Sequence, residues 1–355
     1  MSPLMNDRYV SILEQIKKQG GKLDDGHFND KVLIIDGLNT FIRVFSVIPT
    51  LNDDGVHIGG IVGFLKSIGY VIHLFNPTRA VIVFDGKGGS TRRRKLFPEY
   101  KAGRKTDKRL VRAYDFADKE EERANMLRQL QRTVQYLETL PLSILSIDNI
   151  EADDTIGYLS KQVFDKNVVI SSTDKDFLQL VNDRIKIYSP TKKKIYDEDK
   201  IFEEYGIPSR NFLTYRILEG DKSDNIPGVK GAGLKTIIKR FPHIQEKDKD
   251  LTIEEIVQSC RGKEDEMKIF ESISMCESQL DINKRLMQLH DVDIPNSTKL
   301  RIREGIDRPI SQLNKMEFEK MFLQDKLFAS LPNLQSWLNQ NFTQLNRYAK
   351  MSSHG

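Results

Sequence analysis

The sequence predicts an α/β fold built on a mostly parallel sheet. Three apolar runs rich in Val and Ile each lead to an aspartate, at residues 32–36, 80–85 and 168–174. Two stretches in which apolar residues recur at helical spacing separate the first run from the second. Such alternation of strands and helices is typical of a parallel sheet covered by helices. Beyond about residue 200 the strand-like runs stop, which predicts a second half made mostly of short helices.

Further elements are expected at intervals along the first half of the chain. A long helix is predicted from about residue 118 to 140, because leucine and valine residues recur there on one face. The other expected elements are helices near 40–47, 60–75 and 151–162, a strand at 142–147, and a hairpin formed by 185–188 and 194–196.

These elements predict four segments. Residues 1–30 are expected to form an N-terminal extension, and 31–199 an α/β core that contains a basic segment at about 87–122. A helical part is expected over 200–330 and a C-terminal tail over 331–355.

Composition predicts a soluble, cytoplasmic protein. The 355 residues are 39% hydrophobic and 30% charged, which permits a sizeable core. The chain has only two cysteines, which fits a reducing compartment and argues against a disulfide scaffold. The N-terminus has no uninterrupted apolar stretch typical of a signal peptide, and no run is long enough to span a membrane.

Nine carboxylates are spaced so that they predict one metal site. Three of them end strand-like runs, and the carboxyl ends of parallel strands meet at one edge of a sheet. Like charges brought that close raise one another's pKa unless a cation neutralises them. Mg²⁺ prefers carboxylate and water oxygens as ligands. The nine residues are Asp36, Asp85, Glu151, Asp153, Asp154, Asp174, Asp176, Asp221 and Asp224.

Most of these acids also have a purely structural interpretation when taken alone. Residues 151–154 suit the acidic first turn of a helix, where negative charge complements the helix dipole. Asp174 suits a helix N-cap, and Asp221 and Asp224 suit a turn. Asp36 and Asp85 are harder to explain in this way, because an acid that ends a buried strand needs a partner. The joint pattern therefore favours the metal site.

A concentrated positive charge follows the second predicted strand. Residues 87–112 carry a formal charge of +9, which leaves −5 for the remainder of a chain whose net charge is +4. The segment leaves from Asp85 and contains Phe97 and Tyr100 among its cations. Aromatic rings among basic residues suit single-stranded nucleic acid, although a solvated basic loop has the same composition.

A glycine-rich stretch at residues 228–236 resembles a P-loop but departs from its pattern. The P-loop requires Lys directly after the second glycine, and Leu234 stands there. A hairpin that leads into a helix fits better, and free backbone N–H groups at such a place bind phosphate without reading sequence. A plain turn between helices is the alternative.

The sequence resembles the 5′-nuclease (flap endonuclease/5′–3′ exonuclease) family, including the 5′-nuclease domain of bacterial DNA polymerase I and its stand-alone relatives. The resemblance covers about residues 31–245 and rests on six motifs in the family's order. These are Val-Leu-Ile-Ile-Asp-Gly, Val-Phe-Asp-Gly, Leu-Phe-Pro-Glu-Tyr-Lys-Ala-Gly-Arg, Glu-Ala-Asp-Asp, Ser-Thr-Asp-Lys-Asp and Gly-Asp-Lys-Ser-Asp-Asn-Ile-Pro-Gly-Val-Lys-Gly-Ala-Gly.

The resemblance implies a PIN-like (Rossmann-like) core, a helical arch and a helix–hairpin–helix-like element. It implies two or more Mg²⁺ ions, with Mn²⁺ as a substitute, and a K⁺ ion at the hairpin. By motif, the first metal site would comprise Asp36, Asp85, Glu151 and Asp153. The second site would comprise Asp176, Asp221 and Asp224. Asp154 and Asp174 would lie near the centre, between the two sites.

The resemblance also implies contacts with DNA. Lys101, Arg104 and Asp174 are expected to take part in catalysis, the two cations by offsetting charge on the scissile phosphate. The residues expected to contact DNA are Arg92, Arg93, Arg94, Tyr100, Lys101, Arg104, Lys105, Gly228, Lys230, Gly231, Gly233 and Lys235.

The implied activity is hydrolysis of phosphodiesters near a 5′ end, in replication or repair. Expected partners are DNA with 5′ flaps, nicks or ends and RNA–DNA hybrids, with replication proteins as further candidates, and a monomer is expected. A ribonuclease that removes RNA primers and a non-catalytic DNA-junction binder are the alternatives. The nine acids weigh against the binder, because negative charge beside phosphates does not aid binding.

Overall fold

A six-stranded sheet with the order β3-β2-β1-β4-β5-β6 forms the centre of the protein. The computed structural model describes residues 27–102, 110–111 and 114–352, so most of the expected N-terminal extension lies outside it. Neighbouring strands are parallel except for the β5–β6 hairpin. The strands are β1 (Lys31–Asp36), β2 (Arg79–Asp85), β3 (Ser143–Ile147), β4 (Asn167–Ser171), β5 (Ile185–Ser189) and β6 (Lys194–Tyr196).

Helices surround this sheet and make up the second half of the chain. The mostly parallel α/β fold is thus confirmed. In the first half the helices are α1 (Gly37–Val47), α2 (Gly59–Phe75), α3 (Thr91–Leu96), α4 (Lys119–Glu138) and α5 (Ala152–Tyr158), which a π-helical turn extends over Leu159–Val163. A 3₁₀ turn, Lys175–Leu180, follows β4. In the second half they are α6 (Glu198–Tyr205), α7 (Ser209–Glu219), α8 (Leu234–Arg240), a 3₁₀ turn (Pro242–Gln245), α9 (Ile253–Cys260), α10 (Lys268–Met275), α11 (Glu277–Met287), α12 (Asn296–Asp307), α13 (Lys315–Gln324) and α14 (Leu334–Ser352).

The period-two alternation of strand side chains divides the core into two layers. Val32 and Ile34 of β1 face one side of the sheet, where they pack with residues of α5 and α7. Leu33 and Ile35 face the other side, where they pack with residues of α1, α2, α4 and α14. Both faces are buried, which explains why these strands read as continuous apolar runs rather than as alternating ones.

The C-terminal segment differs from the tail expected over residues 331–355. It forms helix α14, and Leu338, Phe342 and Leu345 of this helix are buried in the layer that covers α2. Their spacing places them on one face of a helix, which is the physical reason for the packing. Trp337 lies against Gly69 of α2, where an added Cβ would come within 2.8 Å of the indole nitrogen. The chain therefore returns to the first half of the core at its C-terminal end.

Candidate active site

The acids that end the central strands lie at the switch point of the sheet, between β1 and β4. The strand order reverses direction there, and ligands of open α/β sheets bind at such a crevice. Asp36 ends β1 and is the N-cap of α1, because its Oδ1 accepts a hydrogen bond from the Asn39 N–H at 3.1 Å. Ser172 donates to its other oxygen at 3.0 Å. These bonds fix the carboxylate at the rim of the crevice.

Asp85 has a different position from Asp36. It ends β2, and its Oδ1 accepts a hydrogen bond from the Ala152 N–H at 2.7 Å. Ala152 is the first residue of α5, so Asp85 joins the β2 strand to the helix that carries Asp153 and Asp154. Asp85 thereby orients the acidic first turn of α5 towards the crevice.

Asp174 and Asp176 follow β4 after a short loop. The structure ends β4 at Ser171, three residues before Asp174, whereas the apolar run suggested a strand that reached it. Asp174 is the N-cap of the following 3₁₀ turn and accepts a hydrogen bond from the Asp176 N–H at 2.8 Å. The loop places Asp174 near enough to Asp36, at the end of β1, for the charge of Asp36 to raise the pKa of Asp174.

Three acids form the centre of the cluster: Asp36, Asp153 and Asp174, which we call the inner acids. Burial, then the charge of Asp85, raises the pKa of Asp36 to about 6 against the hydrogen bonds from Asn39 and Ser172. Burial and neighbouring Asp176 raise the pKa of Asp174 to about 7. Burial and the charge of Asp174 also hold the pKa of Asp153 well above its ordinary value. None of the inner acids forms an ion pair within the described residues.

Cations from the basic segment offset the charge of a second group, Glu151 and Asp154. Arg93 Nη1 lies 2.7 Å from Glu151 Oε2 and 2.8 Å from Asp154 Oδ2. Lys101 Nζ lies 2.8 Å from Glu151 Oε1, and Arg92 pairs with Asp154 at 3.0 Å. Burial alone would raise the pKa of Glu151, but Arg93 and Lys101 hold it below its ordinary value.

Arg216 of α7 offsets the charge of a third group. Its Nε lies 2.7 Å from Asp176 Oδ1 and its Nη2 lies 2.7 Å from Asp221 Oδ2. Burial would raise the pKa of Asp221, but Ser223 and Arg216 lower it. Burial keeps the pKa of Asp176 raised in spite of Arg216. Sequence reasoning missed Arg216, which lies five residues before Asp221 on a helix that is buried around most of its circumference.

Asp224 is linked to the basic segment. The Tyr100 hydroxyl lies 2.9 Å from Glu151 Oε2 and 3.1 Å from Asp224 Oδ2, so its single proton can be donated to either carboxylate. The Lys101 N–H donates to the Asp224 carbonyl at 2.8 Å, and Lys101 has a left-handed φ of 57°. Tyr100 and Lys101 therefore bridge the acids of α5 and those of the loop after α7.

The donor set fits a hard divalent cation. In the described residues, no three His, Cys, Asp or Glu side chains lie close enough together to share an ion. The inner acids nevertheless concentrate negative charge in a buried place without an ion pair, and their raised pKa values reflect that repulsion. Carboxylate oxygens are the ligands that Mg²⁺ and Mn²⁺ prefer.

The arginines of α3 differ from one another in their surroundings. Arg93 was expected to contact DNA, but its side chain is only 4% exposed, and its Nε donates to the Leu286 carbonyl at 2.9 Å. Tyr100 is also buried. Both face the carboxylates because α3 lies against α11. Arg94 is exposed, and Arg92 is part-buried. Arg104 and Lys105 lie outside the described residues.

The glycine-rich hairpin joins α7 to α8. Gly228 packs so closely that a Cβ there would lie 2.0 Å from the Glu219 carbonyl oxygen, so only glycine fits. Gly231 has φ of 88°, a conformation that side chains rarely adopt. Val229 and Ala232 are buried, while the intervening positions face solvent. The exposed positions are Gly228, Lys230, Gly231, Gly233 and Lys235.

Comparison with known proteins shows the family to which the chain belongs. Residues 31–206 match the 5′-3′ exonuclease N-terminal resolvase-like domain. A 5′-3′ exonuclease of Buchnera aphidicola is 33% identical over 223 residues, which are 61% of this chain and 73% of that protein. A DNA polymerase I of Bacillus caldotenax is 33% identical over 218 residues, which are 59% of this chain and 23% of the polymerase.

Solved structures agree at the level of the fold. The bacteriophage T5 D15 flap endonuclease, in a pseudo-enzyme-product complex with DNA and metal ions, superposes with a TM-score of 0.58 and 20% identity. That superposition covers 83% of this chain and 98% of the phage protein. The fold is therefore that of the PIN-like 5′ nucleases. The chain belongs to the 5′–3′ exonuclease family, and the prediction of a nuclease of this class is confirmed.

No helix in the described part of the chain is both long and apolar enough to cross a membrane.

Proposed function

We propose that the protein is a divalent-metal-dependent, structure-specific 5′ nuclease that hydrolyses phosphodiesters near the 5′ end of DNA. The observation that carries the proposal is the group of inner acids at the switch point of the sheet, of which Asp36 is buried and Asp153 and Asp174 are half-buried. Carboxylates paired with cations flank this group on both sides. Membership in the 5′–3′ exonuclease family supports the same reaction.

The inner acids and Asp85 are proposed to hold one divalent ion, together with Glu151. Asp176, Asp221 and Asp224 are proposed to hold a second. When bound, such ions lower the pKa of a water molecule and stabilise the leaving 3′ oxygen of an in-line displacement. Mg²⁺ is the proposed ion, and Mn²⁺ is expected to replace it, since both accept oxygen ligands.

The flanking cations have two proposed tasks. Lys101 and Arg93 keep Glu151 ionised, which maintains it as an oxygen donor at neutral pH. Lys101 is only partly buried, so it is proposed to turn from Glu151 towards a bound phosphate and offset its charge. Arg216 fixes Asp176 and Asp221 relative to each other in the absence of substrate.

DNA specificity is proposed to depend on structure rather than on base sequence. Arg94 on α3 and Lys230 and Lys235 on the hairpin are exposed and carry no ion pair within the described residues. Cations in such positions contact the phosphate backbone, which positions the protein without reading bases. The hairpin is further proposed to act as a helix–hairpin–helix-like element that holds a K⁺ ion. The proposed substrates are DNA with 5′ flaps, nicks or ends, and RNA–DNA hybrids are a further proposed substrate.

The direct test is cleavage of an end-labelled 5′-flap duplex. Mg²⁺-dependent cutting near the junction, absent with chelator, is the expected result. A matched duplex with a blocked, hairpin-closed 5′ end serves as the substrate control, because it lacks the free 5′ end. Tight binding of the flap without cutting in either condition would contradict the proposal and indicate a junction-binding protein.

A further inference from the structure

A second cluster of cations lines a cavity of about 290 Å³ on the other side of β1 and β4. The cavity lies between α1, α2 and the turn that joins β5 to β6. Arg43 of α1, Lys66 of α2 and Lys193 of the turn contribute its positive charge. None of the nine acids lines it, so it is distinct from the carboxylate cluster.

Arg43 is the informative residue of this cavity. Its Nε is buried and has no hydrogen-bond partner. Every other buried side-chain nitrogen or oxygen in the described part of the chain has a partner. Burial also lowers the pKa of the guanidinium. A buried donor without a partner costs about 1–3 kcal/mol, so such groups are normally satisfied. Because Arg43 also lines the cavity, its guanidinium places positive charge there.

The remaining lining is chemically suited to an anion. Among the residues that the structure describes, no Asp or Glu lines the cavity. Thr40, Ser67, Ser171 and Tyr188 add hydroxyl groups to the three cations. A planar guanidinium offers paired N–H donors that match two oxygens of a phosphate, and hydroxyl groups bind the others.

The walls of the cavity leave room for more than the anion. Val44, Ile68 and Val71 form an apolar surface beside the cations. Pockets of this size, apolar with a few polar groups, are typical of small-molecule sites. Ser171 lines the cavity, and its neighbour Ser172 donates to Asp36, so the cavity adjoins the carboxylate cluster across the ends of β1 and β4.

We propose that this cavity binds the phosphate group of a nucleotide, with Arg43 as its anchor and Lys66 at its rim. The phosphate belongs either to a free nucleoside monophosphate or to a nucleic-acid strand that runs past the carboxylate cluster. The proposal is independent of the proposed nuclease activity, because binding at Arg43 requires neither divalent ions nor turnover.

The test measures binding by calorimetry in the presence of chelator, which removes metal-dependent binding at the inner acids. The probes are inorganic phosphate, thymidine 5′-monophosphate and a six-residue oligothymidylate without a terminal phosphate. Wild-type protein is compared with Arg43→Met and with Arg261→Met. Arg261 is a suitable control because it is an exposed arginine paired with Glu277 at the surface.

Arg43→Met is expected to weaken binding of at least one nucleotide probe by tenfold or more, while Arg261→Met leaves it unchanged. If Arg43→Met weakens binding of the monophosphate alone, the ligand of the site is a free nucleotide. If Arg43→Met weakens binding of the oligonucleotide alone, the ligand is a nucleic-acid strand. Equal binding by wild type and Arg43→Met, or no binding of any probe to wild type, would overturn the proposal.

Folding is controlled by thermal melting. Arg43→Met is expected to melt at or above the wild-type temperature, because the lost Nε donor has no partner in the protein. Thymidine monophosphate or oligonucleotide should raise the melting temperature of wild type and of Arg261→Met but not that of Arg43→Met. If Arg43→Met does not fold, Lys66→Met replaces it, since Lys66 is exposed. Lys66→Met is expected to weaken binding at least threefold, and unchanged binding would count against the site.

Discussion

Buried charge governs the behaviour of single residues in this protein. The inner acids have raised pKa values because they are buried together, whereas Glu151 has a lowered one because Arg93 and Lys101 face it. The same burial acts on residues with no part in the candidate site. Each shift can therefore be traced to a neighbour or to loss of water, and each implies a dependence of stability on pH.

His290 offers a pH prediction that is independent of any metal ligand. Burial, and then the charge of Lys161, lowers the pKa of His290 from 6.5 to about 4. The unfolded chain therefore binds more protons between these two values. The stability that neutral His290 contributes is fully present above pH 6.5 and is lost as the pH falls towards about 4. The expected loss over this whole range is on the order of 3 kcal/mol, since one pKa unit corresponds to about 1.4 kcal/mol.

Urea unfolding of wild type and His290→Gln, each at neutral and at mildly acidic pH, measures this contribution. The variant should lose less stability than wild type on acidification, because glutamine does not titrate. Two identical pH profiles would show that His290 is not the source of the effect.

At the scale of elements, the strands and most helices of the first half could be predicted from the sequence. Apolar runs and helical spacing gave bounds within a few residues of those observed, as for β1 and α2. The end of β4 and the π-helical turn after α5 were not predictable, because both depend on packing against other elements. Helix α14 was missed although its apolar residues have helical spacing.

The acids of the candidate site could be predicted from the sequence, but the ion pairs that these acids form with arginines could not. Strand-end positions are visible in a sequence, so the convergence of Asp36 and Asp174 at one crevice could be expected. The pairing of Arg93 could not, because the composition of a basic segment gives no indication of which arginine points inward. Burial of Arg93 depends on the docking of α3 against α11, which is a tertiary contact.

Arg93 and its neighbour Arg94 make a matched pair for testing the role of α3. Arg93→Met removes a buried cation from Glu151 and Asp154 and should lower the free energy of unfolding by about 3–5 kcal/mol. Arg94→Met, on the exposed side of the same helix, should change it by less than about 0.5 kcal/mol. Urea unfolding measures both. Equal effects of the two substitutions would contradict the buried pairing.

Helix α14 provides a second stability prediction. Phe342→Ala leaves a cavity in the layer that covers α2 and should cost about 3–5 kcal/mol. Gln335→Ala, on the exposed face of α14, serves as the control and should be nearly neutral. Thermal melting distinguishes a packed helix from an independent tail, because a tail would tolerate Phe342→Ala as readily as Gln335→Ala.

At the scale of the whole molecule, charge is distributed unevenly over a chain with a net charge of +4. Arg93 of the basic segment is buried against the carboxylates, and the hairpin after α7, which follows Asp221 in the chain, carries exposed lysines. The proposed nuclease therefore combines buried negative charge for metal ions with exposed positive charge for the DNA backbone.

Salt dependence tests the hairpin. Replacing Lys230 and Lys235 by Gln together should weaken flap-DNA binding and make the plot of log affinity against log salt shallower by about 2, since each phosphate contact contributes about 0.9. Lys263→Gln, at an exposed position outside the hairpin, is the control. Fluorescence anisotropy over a salt series gives both slopes. An unchanged slope in the hairpin variant would show that these lysines do not contact phosphate.

The central claim is that the inner acids help to hold a divalent ion that supports cleavage. The most direct measurement compares wild type, Asp174→Asn and Asp165→Asn for binding and cleavage of an end-labelled 5′-flap duplex in Mg²⁺. Asp165 is an exposed acid in the turn before β4 and serves as the control. Asp174→Asn should bind the flap at least as tightly as wild type and cleave it slower by orders of magnitude, because one negative charge and one ligand are lost together. Asp165→Asn should cleave normally. Cleavage by Asp174→Asn at the wild-type rate would contradict the claim and remove the inner acids from the reaction.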